Sequence, residues 1–103
     1  MIVWGGCCGP ELLVSGRRYD PTTDSWTPTA TGDNVPEGRF GQTAVWTGRE
    51  MIVWGGAGQN EIQFSSGGRY DPITDTWTAT AIVNAPDARD THTAVWTGTE
   101  MIV

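Results

Sequence analysis

Met1-Ile2-Val3-Trp4-Gly5-Gly6 is repeated without change at Met51-Ile52-Val53-Trp54-Gly55-Gly56, and its first three residues return at Met101-Ile102-Val103. The spacing of Met1, Met51 and Met101 sets a period of 50 residues. Two more segments keep this register. Arg18–Thr27 reads RYDPTTDSWT against RYDPITDTWT at Arg69–Thr78, and Thr43–Glu50 reads TAVWTGRE against TAVWTGTE at Thr93–Glu100. Repetition at this length marks an architecture in which each unit buries its apolar face against the next. The chain divides into one repeat over 1–50 and a second over 51–103. One residue is gained between Gly56 and Tyr70, and one is lost between Trp77 and Asn84. Both changes fall in stretches rich in Gly, Pro, Ser and Asn, where loops absorb them.

Four strands fit the complete period. They are Gln42–Thr47 (strand a), Glu50–Trp54 (b), Gly68–Asp71 (c) and Thr76–Thr80 (d). Thr47-Gly48-Arg49 supplies a short glycine-bearing hairpin connection between a and b. Asp71-Pro72-Ile73-Thr74-Asp75 supplies a turn between c and d, with proline presetting φ and the Asp and Thr side chains able to bond the nearby backbone. The MIVW run is apolar at consecutive positions instead of alternating, which is the pattern of a strand covered on both faces.

Composition agrees. The chain has 103 residues, with fourteen glycines, six prolines, six tryptophans and no lysine. Turn formers and strand formers dominate, and nothing points to a helix. The net charge of −6 repels phosphate backbones, so nucleic acid is not an expected partner. No apolar run approaches the ~18 residues of a membrane-spanning helix. MIVWGG has neither the basic flank nor the apolar length of a signal peptide.

A Gly-Gly pair after an apolar strand, then a Tyr, then a Trp seven residues later, in a unit of this length, resembles the kelch repeat. The matching residues are Gly5, Gly6, Tyr19 and Trp26, then Gly55, Gly56, Tyr70 and Trp77; Arg39 and Arg89 match the family's arginine ahead of the inner strand. The resemblance spans essentially the whole chain. It implies an all-β fold of kelch-type β-propeller blades, each a four-stranded antiparallel sheet, forming an incomplete ring of about two blades. Strand a would lie nearest the central channel and strand d outermost. Propellers close with roughly 4–8 blades, so the remaining blades of a parent propeller are the expected first partner, and the chain reads as a fragment. Expressed alone, it is expected to expose Ile2, Trp4, Val95, Trp96 and Ile102 on uncovered faces and to associate.

The chemical candidates each have a plainer reading beside them. Tryptophan faces could stack on sugars, but all six tryptophans recur at matched positions, which blade packing explains. The Gly-Gly pairs lack phosphate-loop spacing and a following helix; ending strand b and allowing close backbone approach is the better account. Cys7-Cys8 stands where the second unit has Ala57-Gly58, and with one histidine in the chain it makes a poor zinc site. Free thiols, or disulfides to other parts, are expected there. His92 stands where the first unit has Gln42, and a backbone-bonded role is preferred to a ligand role. Galactose-oxidase-like propellers carry copper radical chemistry, but that needs several Tyr and His ligands, which one histidine cannot build. No catalytic residue, cofactor or metal site is therefore expected within the chain. Arg39 and Arg89 sit where guanidinium forks could take an acidic ligand; pairing with Glu37, Asp87 or Asp90 is the favoured alternative.

Antiparallel strands send the a–b and c–d turns to one face and the b–c and d–a loops to the other. The first set is nearly invariant between units. The second diverges: CCGPELLVS against AGQNEIQFSS, and ATGDNVPEG against AIVNAPDA. Variation confined to one face points to its use. The expected function is a protein- or glycan-recognition scaffold working through the b–c and d–a loops, with Asn60, Glu61, Arg39, Arg89 and His92 as candidate binding residues. The alternative is a set of blades from a secreted propeller enzyme whose catalytic residues lie elsewhere. The lack of lysine, the Thr and Trp content and the acidity suit an extracellular or cell-surface setting, as in the bacterial kelch-repeat proteins the chain resembles.

Overall fold

The computed structural model describes all residues from Met1 to Val103. Nine strands form in chain order: β1 Ile2–Trp4, β2 Gly16–Asp20, β3 Ser25–Pro28, β4 Thr43–Trp46, β5 Met51–Trp54, β6 Gly67–Asp71, β7 Thr76–Ala79, β8 Val95–Trp96 and β9 Met101–Ile102. The fold is all-β, with a single 3-10 turn at Gln59–Glu61. No helix is long and apolar enough to cross a membrane. The four strands expected in the complete period are present, each within one residue at either end of its expected span.

Three antiparallel sheets result, ordered β1-β2-β3, β4-β5-β6-β7 and β8-β9. Sequence repetition becomes repetition of register. Tyr19 lies opposite Trp26 as Tyr70 lies opposite Trp77, and Asp20 faces Ser25 as Asp71 faces Thr76. The turns repeat too. Asp20 and Asp71 accept from the main-chain N–H of Thr22 and Ile73, and Thr47 and Thr97 close the a–b turns by accepting from Glu50 and Glu100. These side chains mimic backbone turns, so Asp and Thr fix the hairpins locally.

The core lies between the first two sheets. Trp4 packs with Met51, Val53, Tyr70 and Trp77, flanked by Ile2, Ala30 and Val35. Trp4 and Trp77 meet at 5.4 Å in a tilted pair, an arrangement their ring quadrupoles favour. Three hydrogen bonds reinforce this contact from the outer side: Trp77 Nε1 to the Ala30 carbonyl (3.0 Å), the Ala30 N–H to Asp75 (2.9 Å) and Arg18 to the Pro72 carbonyl (2.9 Å). In β5, Met51, Val53 and Trp54 are buried and Ile52 partly so, the two-sided cover its unbroken apolar run implies. The identical runs in β1 and β9 are less covered, with Val3 and Ile102 exposed.

One expectation is corrected here. Trp4 is not on an uncovered face; it is 8% exposed, because it points at Trp77 of the next sheet. The exposed large apolar residues include Val95 and Ile102, as expected, and also Trp26 and Trp46, whereas Ile2, packed against the core, and Trp96 are half-buried.

The Gly-Gly pairs tie each sheet to the segment that leads into the next. Gly6 N–H donates to the Arg39 carbonyl and Gly56 N–H to the Arg89 carbonyl. Gly55 has φ +71, and a Cβ there would sit 2.5 Å from the His92 ring. Only glycine tolerates both that backbone and that approach.

Candidate functional site

The divergent loops converge. A cleft of about 480 Å³ opens between the b–c loops of the two units and is lined by Glu11, Leu12, Glu37, Gly38, Gly58, Gln59, Asn60, Ile62 and Phe64. An adjoining hollow adds Gly9, Pro10, Phe40 and Glu61. Three connections therefore build it: the b–c loop of the first unit, the d–a loop that follows, and the b–c loop of the second.

Backbone bonding holds these loops in place. Phe40 and Ala57 exchange both N–H···O bonds, at 3.0 and 2.8 Å, and Ala57 also bridges Gln63. Gly38 lies so close to Leu12 that a Cβ would meet the Leu12 carbonyl at 2.8 Å. The 3-10 turn at Gln59–Glu61 presents Asn60 and Glu61, both exposed and both in left-handed backbone at φ 58. Asparagine accepts that conformation readily, but glutamate pays a steric cost there.

Arg39 is the support beneath this loop. It is only 2% exposed. Its Nη1 donates to the carbonyls of Gly55 (2.9 Å) and Ser66 (2.8 Å), its Nε to the Glu37 carbonyl (3.0 Å), and its guanidinium carbon lies 4.3 Å from the Phe64 ring centroid. Burial pushes its pKa down, opposed by the nearby Glu37 charge. The guanidinium thus donates to main-chain oxygens, and the Glu37 carboxylate does not receive its fork. Its fixed, planar donors suit this carbonyl-rich niche, and they hold Phe64 at the cleft wall.

The other sequence candidates lie apart. Arg89 is half-buried and its Nε bonds the Asp87 carbonyl at 3.1 Å, the same local contact that Arg39 makes with Glu37. His92 Nε2 shares a hydrogen bond of 2.9 Å with the Thr43 hydroxyl, and its ring meets Trp54 edge-on at 5.5 Å. Its pKa is lowered, first by burial and then by Arg89, with Asp90 pulling the other way. His92 therefore packs at the junction of two units, while Asn60 lines the cleft and Glu61 the adjoining hollow. Glu11, Leu12 and Phe64 also line it, and sequence reading does not single them out. The signal available is the loop divergence itself, which marks segments without choosing residues within them.

Charge distinguishes the two faces. The cleft carries Glu11 and Glu37 and the adjoining hollow Glu61, and neither ion pair of the molecule reaches them: Arg49 pairs with Asp71 at 3.1 Å and Arg69 with Glu50 at 3.8 Å. The cleft is thus acidic at its rim and apolar at Leu12, Ile62 and Phe64. A second cleft, of about 420 Å³, lies between β1 and β4 and is lined entirely by Met1, Ile2, Ala44, Val45, Trp46 and Met51. It offers no polar side chain for orienting a ligand. No group of three or more His, Cys, Asp or Glu residues is placed to hold a metal ion. No family model matches the chain, and no curated protein matches it.

Proposed function

We propose that the chain is a pair of kelch-type propeller blades serving as a recognition scaffold, with the acidic cleft between its b–c and d–a loops as the binding surface. The reading of the sheets as blades is supported by the 50-residue period, the Gly-Gly, Tyr and Trp positions, and sheets that pack face to face through Trp4 and Trp77. On this reading further blades complete the ring around it, and the setting is extracellular or at a cell surface.

The observation that carries the functional part is the coincidence of three properties at one place. The loops that differ between the units are the loops that meet, and where they meet is a cleft with unpaired carboxylates over an apolar wall. Such a surface fits a protein segment carrying a basic side chain beside an apolar one, with charge guiding the encounter and apolar contact holding it. A glycan would meet one aromatic side chain in the cleft, Phe64, and one in the adjoining hollow, Phe40, whereas three carboxylates there suit a basic partner, so a protein partner is favoured.

Panels of basic, neutral and acidic peptides, and of neutral oligosaccharides, test this. Basic peptides should bind, with affinity falling as salt rises. Changing Glu11, Glu37 and Glu61 together to Gln should abolish that binding. Preference for acidic peptides, or binding untouched by the triple change, would remove the cleft from consideration. Exchanging the two divergent b–c loops between units provides a second test, since mere drift of unused loops predicts no change.

A further inference from the structure

Cys7 and Cys8 belong to the first b–c loop but line a different hollow, and nothing in the recognition reading uses them. Their sulfurs lie 3.3 Å apart and both residues are exposed. Adjacent side chains on an extended backbone point to opposite sides. Here Cys8 has φ +97, a left-handed conformation that a cysteine adopts at a steric cost, and this turn brings both thiols to one side. The second unit has Ala57-Gly58 at these positions, so the repeat itself does not require the pair. Beside the thiols a hollow of about 420 Å³ is lined by Gly9, Pro10, Glu11 and Leu13 together with the two cysteines.

We infer that Cys7 and Cys8 form a two-thiol site for a trivalent organoarsenical, with the hollow at Pro10 and Leu13 receiving its organic group. Geometry and ligand count both select this class. With bonds to sulfur of ~2.3 Å, a centre bridging sulfurs 3.3 Å apart closes the S–centre–S angle at about a right angle, which suits a pyramidal trivalent atom. A linear two-coordinate ion with such bonds would need sulfurs about 4.6 Å apart. Zinc would need four ligands, and no third His, Cys, Asp or Glu completes a metal-binding group here. A trivalent arsenic bearing one carbon substituent needs only two thiols from the protein.

Closing the pair on itself as a disulfide is less favourable. Consecutive Cα atoms are ~3.8 Å apart across a trans peptide, below the usual lower limit of ~4.4 Å for bridged cysteines. A strained disulfide is readily reduced. The Cys7 thiol is also held above its ordinary pKa, first by its hydrogen bond with Cys8, which keeps it protonated. The reaction is a condensation without redox change: one R–As=O and two S–H groups give R–As(S–Cys7)(S–Cys8) and one water. Two As–S bonds form, the As=O oxygen leaves as water, and both thiol protons go with it.

Intact mass spectrometry of the reduced chain with phenylarsine oxide tests the site. One arsenical per chain, added with loss of one water and with both free thiols consumed together, is expected. The adduct should survive excess monothiol and be stripped by a small 1,2-dithiol. Cys7→Ala and Cys8→Ala should each weaken binding at least ~100-fold, the scale on which a second tethered contact acts. Two arsenicals per chain, one arsenical bridging two chains, or an adduct lost to monothiol would overturn the inference. Those three outcomes are read on the unaltered chain, so they stand whether or not the variants fold. The change Cys7→Ala with Cys8→Gly reproduces the second unit and should abolish binding with the circular dichroism spectrum unchanged; retained binding there would equally overturn it.

Discussion

The segments Arg18–Thr27 and Arg69–Thr78 differ at only two positions, yet they live in different surroundings. In the second, Tyr70 is fully buried and Trp77 is 4% exposed; in the first, Trp26 is 46% exposed. Local geometry does not account for this. Both pairs stack similarly, at 4.9 Å for Tyr19 with Trp26 and 5.1 Å for Tyr70 with Trp77, each tilted by 43°. Both tyrosines donate to the aspartate that closes the following turn. What differs is the sheet beyond: Trp77 meets Trp4 and the Ala30 carbonyl, while no sheet lies against Trp26. Local residues specify the hairpin, and the neighbouring sheet supplies the burial. Such division of labour is what nearest-neighbour stabilisation in repeat proteins means physically.

The largest test of this contrast is a pair of truncations. Trp77→Ala should destabilise by ~3–5 kcal/mol, the cost of removing a packed core aromatic. Trp26→Ala should cost about 1 kcal/mol or less, as expected for a surface change. Urea unfolding followed by far-ultraviolet circular dichroism measures both. Equal losses would mean that stacking on tyrosine, not the adjoining sheet, carries the energy.

Arg39 and Arg89 extend the contrast to polar groups. Arg39→Ala strands the carbonyls of Gly55 and Ser66 and removes the support under Phe64, so ~2–3 kcal/mol should be lost. Arg89→Ala should fall within about 0.5 kcal/mol, since only its bond to the Asp87 carbonyl disappears. Restoring charge without the fork, as Arg39→Lys, should recover little, because one ammonium cannot span the same acceptors.

The strands are legible in the sequence because their cues are local. Asp-Pro turns, Thr-Gly turns and the unbroken MIVW run each specify a backbone path within a few residues. Sheet pairing follows, since short turns allow only antiparallel neighbours. The candidate cleft is legible only as a face. Its Glu11, Leu12 and Phe64 come from loops of unequal length whose path depends on the Phe40–Ala57 bridge and on Arg39 beneath. No local pattern encodes that convergence. Arg39 illustrates the limit. Its position ahead of strand a is evident, but whether a guanidinium meets carboxylates or carbonyls depends on which backbone oxygens the folded loops turn inward. Trp4 departs from expectation for the same reason: a strand's alternation gives two faces without saying which one the next sheet covers.

A smaller effect separates the two tyrosines. Burial, then the bond to Asp75, pushes the Tyr70 pKa up to about 12, against ~10 for an unfolded tyrosine. A raised folded-state pKa means the protonated form is favoured by folding. That contribution is complete below pH ~10 and drains away as pH climbs from there towards 12. Tyr70→Phe should cost about 1 kcal/mol at neutral pH and flatten the loss of thermal stability over that alkaline window. Tyr19 is raised in the same direction, first by its bond to Asp24, but that bond is exposed to solvent, so Tyr19→Phe should show the same signs at smaller size. A window that persists once the Tyr70 hydroxyl has been removed would assign the alkaline loss to other groups.

The smallest effect concerns the junction that Gln42 and His92 share by repeat position. Gln42 Nε2 donates to the Trp4 carbonyl at 3.2 Å, whereas the His92 ring stands nearly perpendicular to Trp54 and leaves Nδ1 buried without a partner. His92→Gln places at this junction the residue already used in the first unit, so stability at neutral pH should change by less than about 0.5 kcal/mol. Its pH dependence should change more clearly. The lowered His92 pKa, caused first by burial, means the neutral ring is the one the fold accommodates. Its contribution is whole above ~6.5, the unfolded value, and is lost as pH falls through the depressed folded value. The glutamine variant should lose that mildly acidic slope in melting temperature while keeping the slope below it that carboxylates such as Asp71 and Asp75, both held below their ordinary pKa, impose. An unchanged slope near neutrality would show that the imidazole senses solvent and not its packing against Trp54, and that the two junctions are equivalent in electrostatics as well as in shape.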